Sequence, residues 1–415
     1  MQLKSKKIAG LLSAATCTLL GTPAHADENP WEVDSAVLVY SETDRVSAVE
    51  PVISARKDLG DDEILSMKLV LDSLTGASAN GAVPSTQPQT FTRPSGNGTY
   101  TTDPNDTPLD DTFKDTRVSY SLNWDKPVDR NNRRNLGFSV SREYDFTSLG
   151  ANALWSHDTN QKNTTLTGGI SVELDSIDPV GGVPEGLTDV DQRGRVGSSE
   201  DRNIVDLLFG VTQVIDKNSL FQINYSYSQA SGYMTDPYKL LSVVDATTGE
   251  PLNYLYEQRP DERTRQSVFA RYKRQLSNND IVTTSYRFMT DDWGVDSHTL
   301  DLTYRIRMDD GFFVQPHIRY YQQSAADFYR YFLVDGQPMP NYASADYRLG
   351  EMTGTTFGVK FGQSIDDKHV WSVRLESYTQ SGDSSPGEAF GQLSSQDLYP
   401  DVDAVIAQFN YSFKW

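Results

Sequence analysis

The chain has one cysteine, Cys17, and it falls in a segment that reads as a removable leader. Without it there is no disulfide, no thiol nucleophile and no cysteine metal site. Five histidines occur in all, and no two stand in an H-x-x-x-H or H-E-x-x-H pattern, so a zinc hydrolase has no ligand set. Past the leader there is no run of about 18 apolar residues, which excludes a helical membrane span. Positive charge is also scarce: 37 Lys and Arg face 57 Asp and Glu, for a formal net charge of −20. A chain this acidic does not seek nucleic acid through its phosphates.

The leader is built from Lys4, Lys6 and Lys7, the apolar run Ile8 to Leu20, and the small-residue site Ala24-His25-Ala26. The run is too short to span a bilayer, which takes about 20 residues. Thr16 before Cys17 and Ala14 make a poor lipoprotein box. Cleavage after Ala26 is expected, leaving residues 27–415 as one exported domain.

What the sequence has in quantity is alternation. In LFQINYSYSQ, Phe221, Ile223, Tyr225 and Tyr227 share one face, with Gln222, Asn224, Ser226 and Ser228 on the other. The final stretch repeats this: Val405, Ala407, Phe409, Tyr411, Phe413 and Trp415 lie opposite Gln408, Asn410, Ser412 and Lys414. Similar runs include Leu302-Tyr304-Ile306, Phe357-Val359-Phe361, Trp371-Val373-Leu375 and Val118-Tyr120-Leu122-Trp124. A soluble sandwich alternates too. Aromatics near strand ends, a closing strand that finishes on an aromatic, and connections that alternate short and long point instead to a transmembrane antiparallel up-and-down β-barrel.

The short links are 58–62, 125–134, 158–163, 216–218, 275–280, 308–311 and 364–368; the long ones are 73–115, 175–202, 229–264, 322–354 and 379–401. Short turns inside and long loops outside put both ends of the wall in the periplasm and give about sixteen strands. The first hairpin, Val33–Glu42 with Val46–Arg56, is the weakest because Pro51 sits in it; without it the count is about fourteen. The Gly/Pro/Ser/Thr-rich stretch Ala77–Asp106 reads as loop, and no second folded unit is expected.

Several words carry a family resemblance: DSLTGASANGAVP from Asp72, PQTFTRPSG, DDTFKDTR, SGYMTDPYKLLSVVD, YEQRPDERTRQS, YRFMTDDWGVDSHT and SETDRVSAVEPVISARK. From about Ser41 to Trp415 the chain resembles a family of proteobacterial outer-membrane proteins defined as a domain of unknown function. The resemblance implies a barrel in outer-membrane lipid, inserted by the barrel assembly machinery. It also implies work beside periplasmic redox-associated proteins of the flavin-transfer or thioredoxin-like kind. It carries no catalytic residues.

Three constellations could carry chemistry. Asp103, Asp106, Asp110 and Asp111 make a candidate Ca²⁺ loop, without EF-hand spacing, against the plainer reading of solvated loop acids. Ser297 and His298 invite a lipid-active enzyme, but adjacent strand residues point to opposite faces, and no nucleophile elbow is present. The polar face of the later strands carries Arg271, Lys273, Arg287, Arg305, His317, Arg319, Lys360 and Arg374, against Asp301 and Glu376. That pattern suits either an anion-favouring pore lining or an arginine–carboxylate brace. Phe409, Tyr411, Phe413 and Trp415 form the expected membrane-assembly signal. The sequence thus supports a non-enzymatic pore or transport protein for small solutes. A docking or secretion partner is the alternative, and a lipid-active enzyme the third.

Overall fold

The computed structural model describes residues 30–415 apart from 95, 97 and 193, so the leader and its cleavage site lie outside the described residues. The wall strands are β1 (Glu32–Glu42), β2 (Ser47–Gly60), β3 (Glu63–Ala79), β4 (Leu109–Pro127), β5 (Asn132–Arg142), β6 (Phe146–Thr159), β7 (Thr164–Ile177) and β8 (Glu200–Asp216). They continue as β9 (Ser219–Gly232), β10 (Glu262–Gln275), β11 (Ile281–Asp291), β12 (Asp296–Arg307), β13 (Phe312–Gln323), β14 (Met352–Ser364), β15 (His369–Gly382) and β16 (Val402–Lys414). Each pairs antiparallel with its chain neighbour, and β16 returns to β1, with Val37 opposite Phe409, to close the barrel.

The first hairpin is part of the wall. Pro51 pairs with Val37 of β1 on one side. Toward β3 the ladder runs from Val49–Ser73 to Val52–Val70 and skips the two positions between, where proline has no N–H to give. The seven turns at one end are tight, and several use Asp or Asn in the left-handed region, as at Asp62 (φ 59°), Asn279 (φ 67°) and Asp310 (φ 55°).

Alternation has a physical outcome here. The outward positions are large and apolar, yet uncovered: Phe357 is 59% exposed, Leu375 52% and Val405 60%. Burying one such side chain is worth about 1.5–3 kcal/mol, a gain that this apolar belt forgoes at each exposed position in water. Among the described residues no helix is long and apolar enough to cross a membrane.

The interior core lies in the loops, contrary to expectation. The stretch read as unstructured, Ala77–Asp106, contains a hairpin of Gln89–Thr92 with Thr99–Thr102 that buries Phe91 and Tyr100. Val83, Val244, Phe332, Leu393 and Leu398 pack together from four different connections. Pro251–Tyr256, Leu240–Val244 and Leu333–Val334 form a small sheet between two of them. Loop 80–108 sits six strand positions around the ring from loop 233–261. They nevertheless meet, with Leu240 N donating to Asn80 O at 2.7 Å and Val83 N to Ser242 Oγ at 3.0 Å. The long loops therefore cross the mouth as a packed cap.

Candidate functional site: the barrel lumen and its cap

Strand register carries the face assignment around the ring. Arg271 and Lys273 of β10, Arg287 of β11, Arg305 of β12, His317 and Arg319 of β13, Lys360 of β14 and Arg374 of β15 share the face opposite the exposed belt. Asp301 of β12 and Glu376 of β15 share it too.

These groups do not form one brace. His317 Nδ1 is 2.8 Å from Glu376 Oε1 and its Nε2 is 2.9 Å from Asp301 Oδ2. Two ionised carboxylates can accept from both nitrogens only if the ring is an imidazolium. Glu376 reaches His317 over β14 because Gly358 lies between; a Cβ there would come within 2.4 Å of Glu376 Cγ. Arg374 approaches Glu376 at 3.6 Å. Both inward acids of the predicted set are thereby engaged by His317 and Arg374.

The other cations are left over. Among the described residues none of Arg271, Lys273, Arg287, Arg305, Arg319 and Lys360 has a carboxylate oxygen within 4.0 Å. Aromatic rings support three of them. Arg271 and Arg287 flank Phe269 at 5.2 and 5.4 Å, and Arg305 lies 3.6 Å from the centroid of Phe313. Such stacking orients a guanidinium without neutralising it. Between these strands and the opposite wall Asn123, Asn135, Asn152, Ser171, Asn224 and Ser226 lie on the inward register, and Lys68, Glu173 and Asp206 share it.

The other candidates separate. Asp103 and Asp106 are exposed in the loop and Asp110 is buried in β4, while the side chain of Asp111 lies outside the described set. Among the described residues no group of three or more His, Cys, Asp or Glu is placed to hold a metal ion. Ser297 is buried on the inner face, whereas His298 lies outside with its Nδ1 2.7 Å from Tyr286 Oη. No nucleophile–base pair forms between them. Phe409, Tyr411 and Phe413 lie outward on β16, and Trp415 exchanges backbone bonds with Trp31 at 2.8 and 2.9 Å across the seam.

Sequence reasoning missed the groups at the outer end. Arg263 and Arg265 share the inward parity of Arg271, and the word DERTR held that signal. Arg263 pairs with Asp291, and its guanidinium stacks 4.3 Å from the ring centroid of Trp293. Within the cap, Asp346 is 1% exposed. It accepts from Arg259 Nη2 at 2.8 Å and Arg348 Nε at 2.8 Å. Burial alone would raise its pKa, but Arg348, Lys239 and Arg259 hold the carboxyl well below the usual range. Arg259 also lies 2.6 Å from Glu257, whose carboxyl burial pushes up. This ion cluster ties loop 233–261 to loop 324–351. Beneath the cap is a cavity of ≈ 740 Å³ bounded by β1 to β4, the β5–β6 turn and Lys239.

Comparison with solved structures gives likenesses at low identity. A bacterial polysaccharide outer membrane secretin is 8% identical, with 94% of this chain and 99% of that chain covered and a TM-score of 0.47. CdiB from Acinetobacter baumannii is 9% identical, covering 92% and 60%, with a TM-score of 0.47. The CymD monoaromatic hydrocarbon channel is 10% identical, covering 93% and 88%, with a TM-score of 0.42. No curated protein matches. Residues 9–413 match the family model described as Protein of unknown function (DUF3570), and the chain belongs to that family.

Proposed function

We propose that the protein is an outer-membrane transport barrel for small solutes whose lumen favours anions. The observation that carries this is the set of six inward cations on β10 to β14 with no carboxylate partner among the described residues. Neighbouring strands lie about 4.8 Å apart, so these charges form an arc, and their field is stronger in a narrow lumen than in bulk water. A brace would have paired each cation with an acid. The apolar belt supports the membrane setting, and the cap supports a restricted outer mouth.

The first test is conductance. The purified barrel added to a planar bilayer is expected to give stepwise current increments. Silent bilayers, together with a partner protein that co-purifies in fixed ratio, would favour a docking role instead.

A further inference from the structure

The cavity under the cap carries both signs of charge, with acids in excess of bases. Glu50 of β2, Asp115 of β4 and Glu143 of the β5–β6 turn all line it. The Glu50 side chain makes no hydrogen bond or ion pair among the described residues. Burial and the neighbouring Asp115 push the Glu143 carboxyl up to about 7, with Asp145 adding to this and Arg117 opposing it. Lys239 of the cap, 6% exposed, lines the cavity together with Asp236 and Arg348. Its Nζ donates to Ala79 O, and among the described residues no carboxylate lies within salt-bridge distance. An ammonium has three donors; besides Ala79 O this one, where it lines the cavity, has the Tyr347 ring 5.9 Å away and no second oxygen acceptor among the described residues. Burying a charge with unmet donors is costly, and a ligand that supplies acceptors removes that cost.

A simple anion would meet the more numerous carboxylates, and a simple cation would meet Lys239, Arg348 and Arg374. A solute with both signs fits, and each wrong partner is rejected by one wall. The volume of ≈ 740 Å³ lies in the range of about 300–1,000 Å³ that small-ligand pockets occupy. We infer that this cavity binds a zwitterionic solute of amino-acid to short-peptide size, its carboxylate on Lys239 and its ammonium on Glu50, Asp115 and Glu143. The inference rests on the transport reading only in that small solutes reach the cavity.

The test uses alanyl-alanine, its C-terminal amide and its N-acetyl derivative, each titrated calorimetrically into the full barrel in detergent. Alanyl-alanine is expected to bind, and each derivative to lose about tenfold or more, as removal of one charged hydrogen-bonding group does. In Lys239→Met the dipeptide and its amide should bind alike. In Glu50→Gln with Glu143→Gln, positions less buried than Lys239, the dipeptide and its N-acetyl form should bind alike. That second variant keeps the test open if Lys239→Met does not fold. Equal binding of either derivative to the unchanged protein, or no heat from any of the three, overturns the inference. Conductance separates this from the transport reading. A conducting barrel without binding overturns the site alone. Discriminating binding in a barrel silent in bilayers upholds the site and overturns transport.

Discussion

Replacing Asp346 with alanine is expected to raise single-channel conductance several-fold and to expose loop 324–351 to protease. The carboxylate joins Arg259 on one loop to Arg348 on another, and both lose it together. The two losses differ in weight. The Arg348 side chain is 55% exposed and re-solvates at little cost. Arg259 is 11% exposed and keeps only Glu257. Leaving a buried charge undercompensated costs about 3–5 kcal/mol. The apolar packing of Leu393, Val244 and Phe332 remains, and at about 1.5–3 kcal/mol for each buried side chain it keeps the cap folded. The cap should therefore loosen at its latch and stay assembled elsewhere. The pH sign follows from the depressed carboxyl. Its contribution is complete above the unfolded value of about 3.9 and is lost only as pH falls through the lower folded value. Acidification to about pH 5 should leave the unchanged protein latched. Unaltered conductance and protease resistance in Asp346→Ala would show that the cluster holds nothing shut.

The second large effect is expected at the seam. Changing both Phe413 and Trp415 to Asp, or deleting Trp415, should abolish the heat-modifiable folded band on a cold gel. Phe413 pairs with Val33 of β1 and with His369 of β15, at the strand that closes the barrel. Its ring stacks 5.8 Å from Tyr411, which in turn lies 6.0 Å from His369. A charge on this face costs about 1–4 kcal/mol according to its depth in the bilayer. Deleting Trp415 also removes the two backbone bonds to Trp31. Two carboxylates beside one another add repulsion to desolvation. Normal folded yield of both variants would show that closure does not depend on these side chains.

The wall was legible because a period of two fixes a face wherever strands are long. Tyr304 and Arg305 could be assigned to opposite sides from spacing alone, and the tight turns were marked by Asp and Asn. Even the doubtful Pro51 follows one rule, since a proline can stay in a strand where a ladder position is skipped. The cap was not legible, because its contacts join residues far apart in sequence. Arg259 meets Asp346 at a separation of 87 residues, and Lys239 meets Ala79 at 160. Composition marked Ala77–Asp106 as loop but could not show that Phe91 and Tyr100 would find Tyr254 to pack against. The acids of the cavity come from four strands, a turn and a cap loop, so no local cluster announced them. The aspartates that did cluster locally, from Asp103 to Asp111, assemble no metal site among the described residues.

The most direct measurement of the central claim is the reversal potential of the unchanged barrel under a salt gradient, beside that of Arg287→Gln, Arg305→Gln and Arg319→Gln combined. The three guanidiniums lie inward on successive strands, β11 to β13, and among the described residues none has a carboxylate oxygen within ion-pair distance. The expected result is a weak anion preference in the unchanged protein, tempered by the acidic cavity above, and a shift toward cations in the triple variant. A cation preference that the triple change leaves untouched would contradict the account.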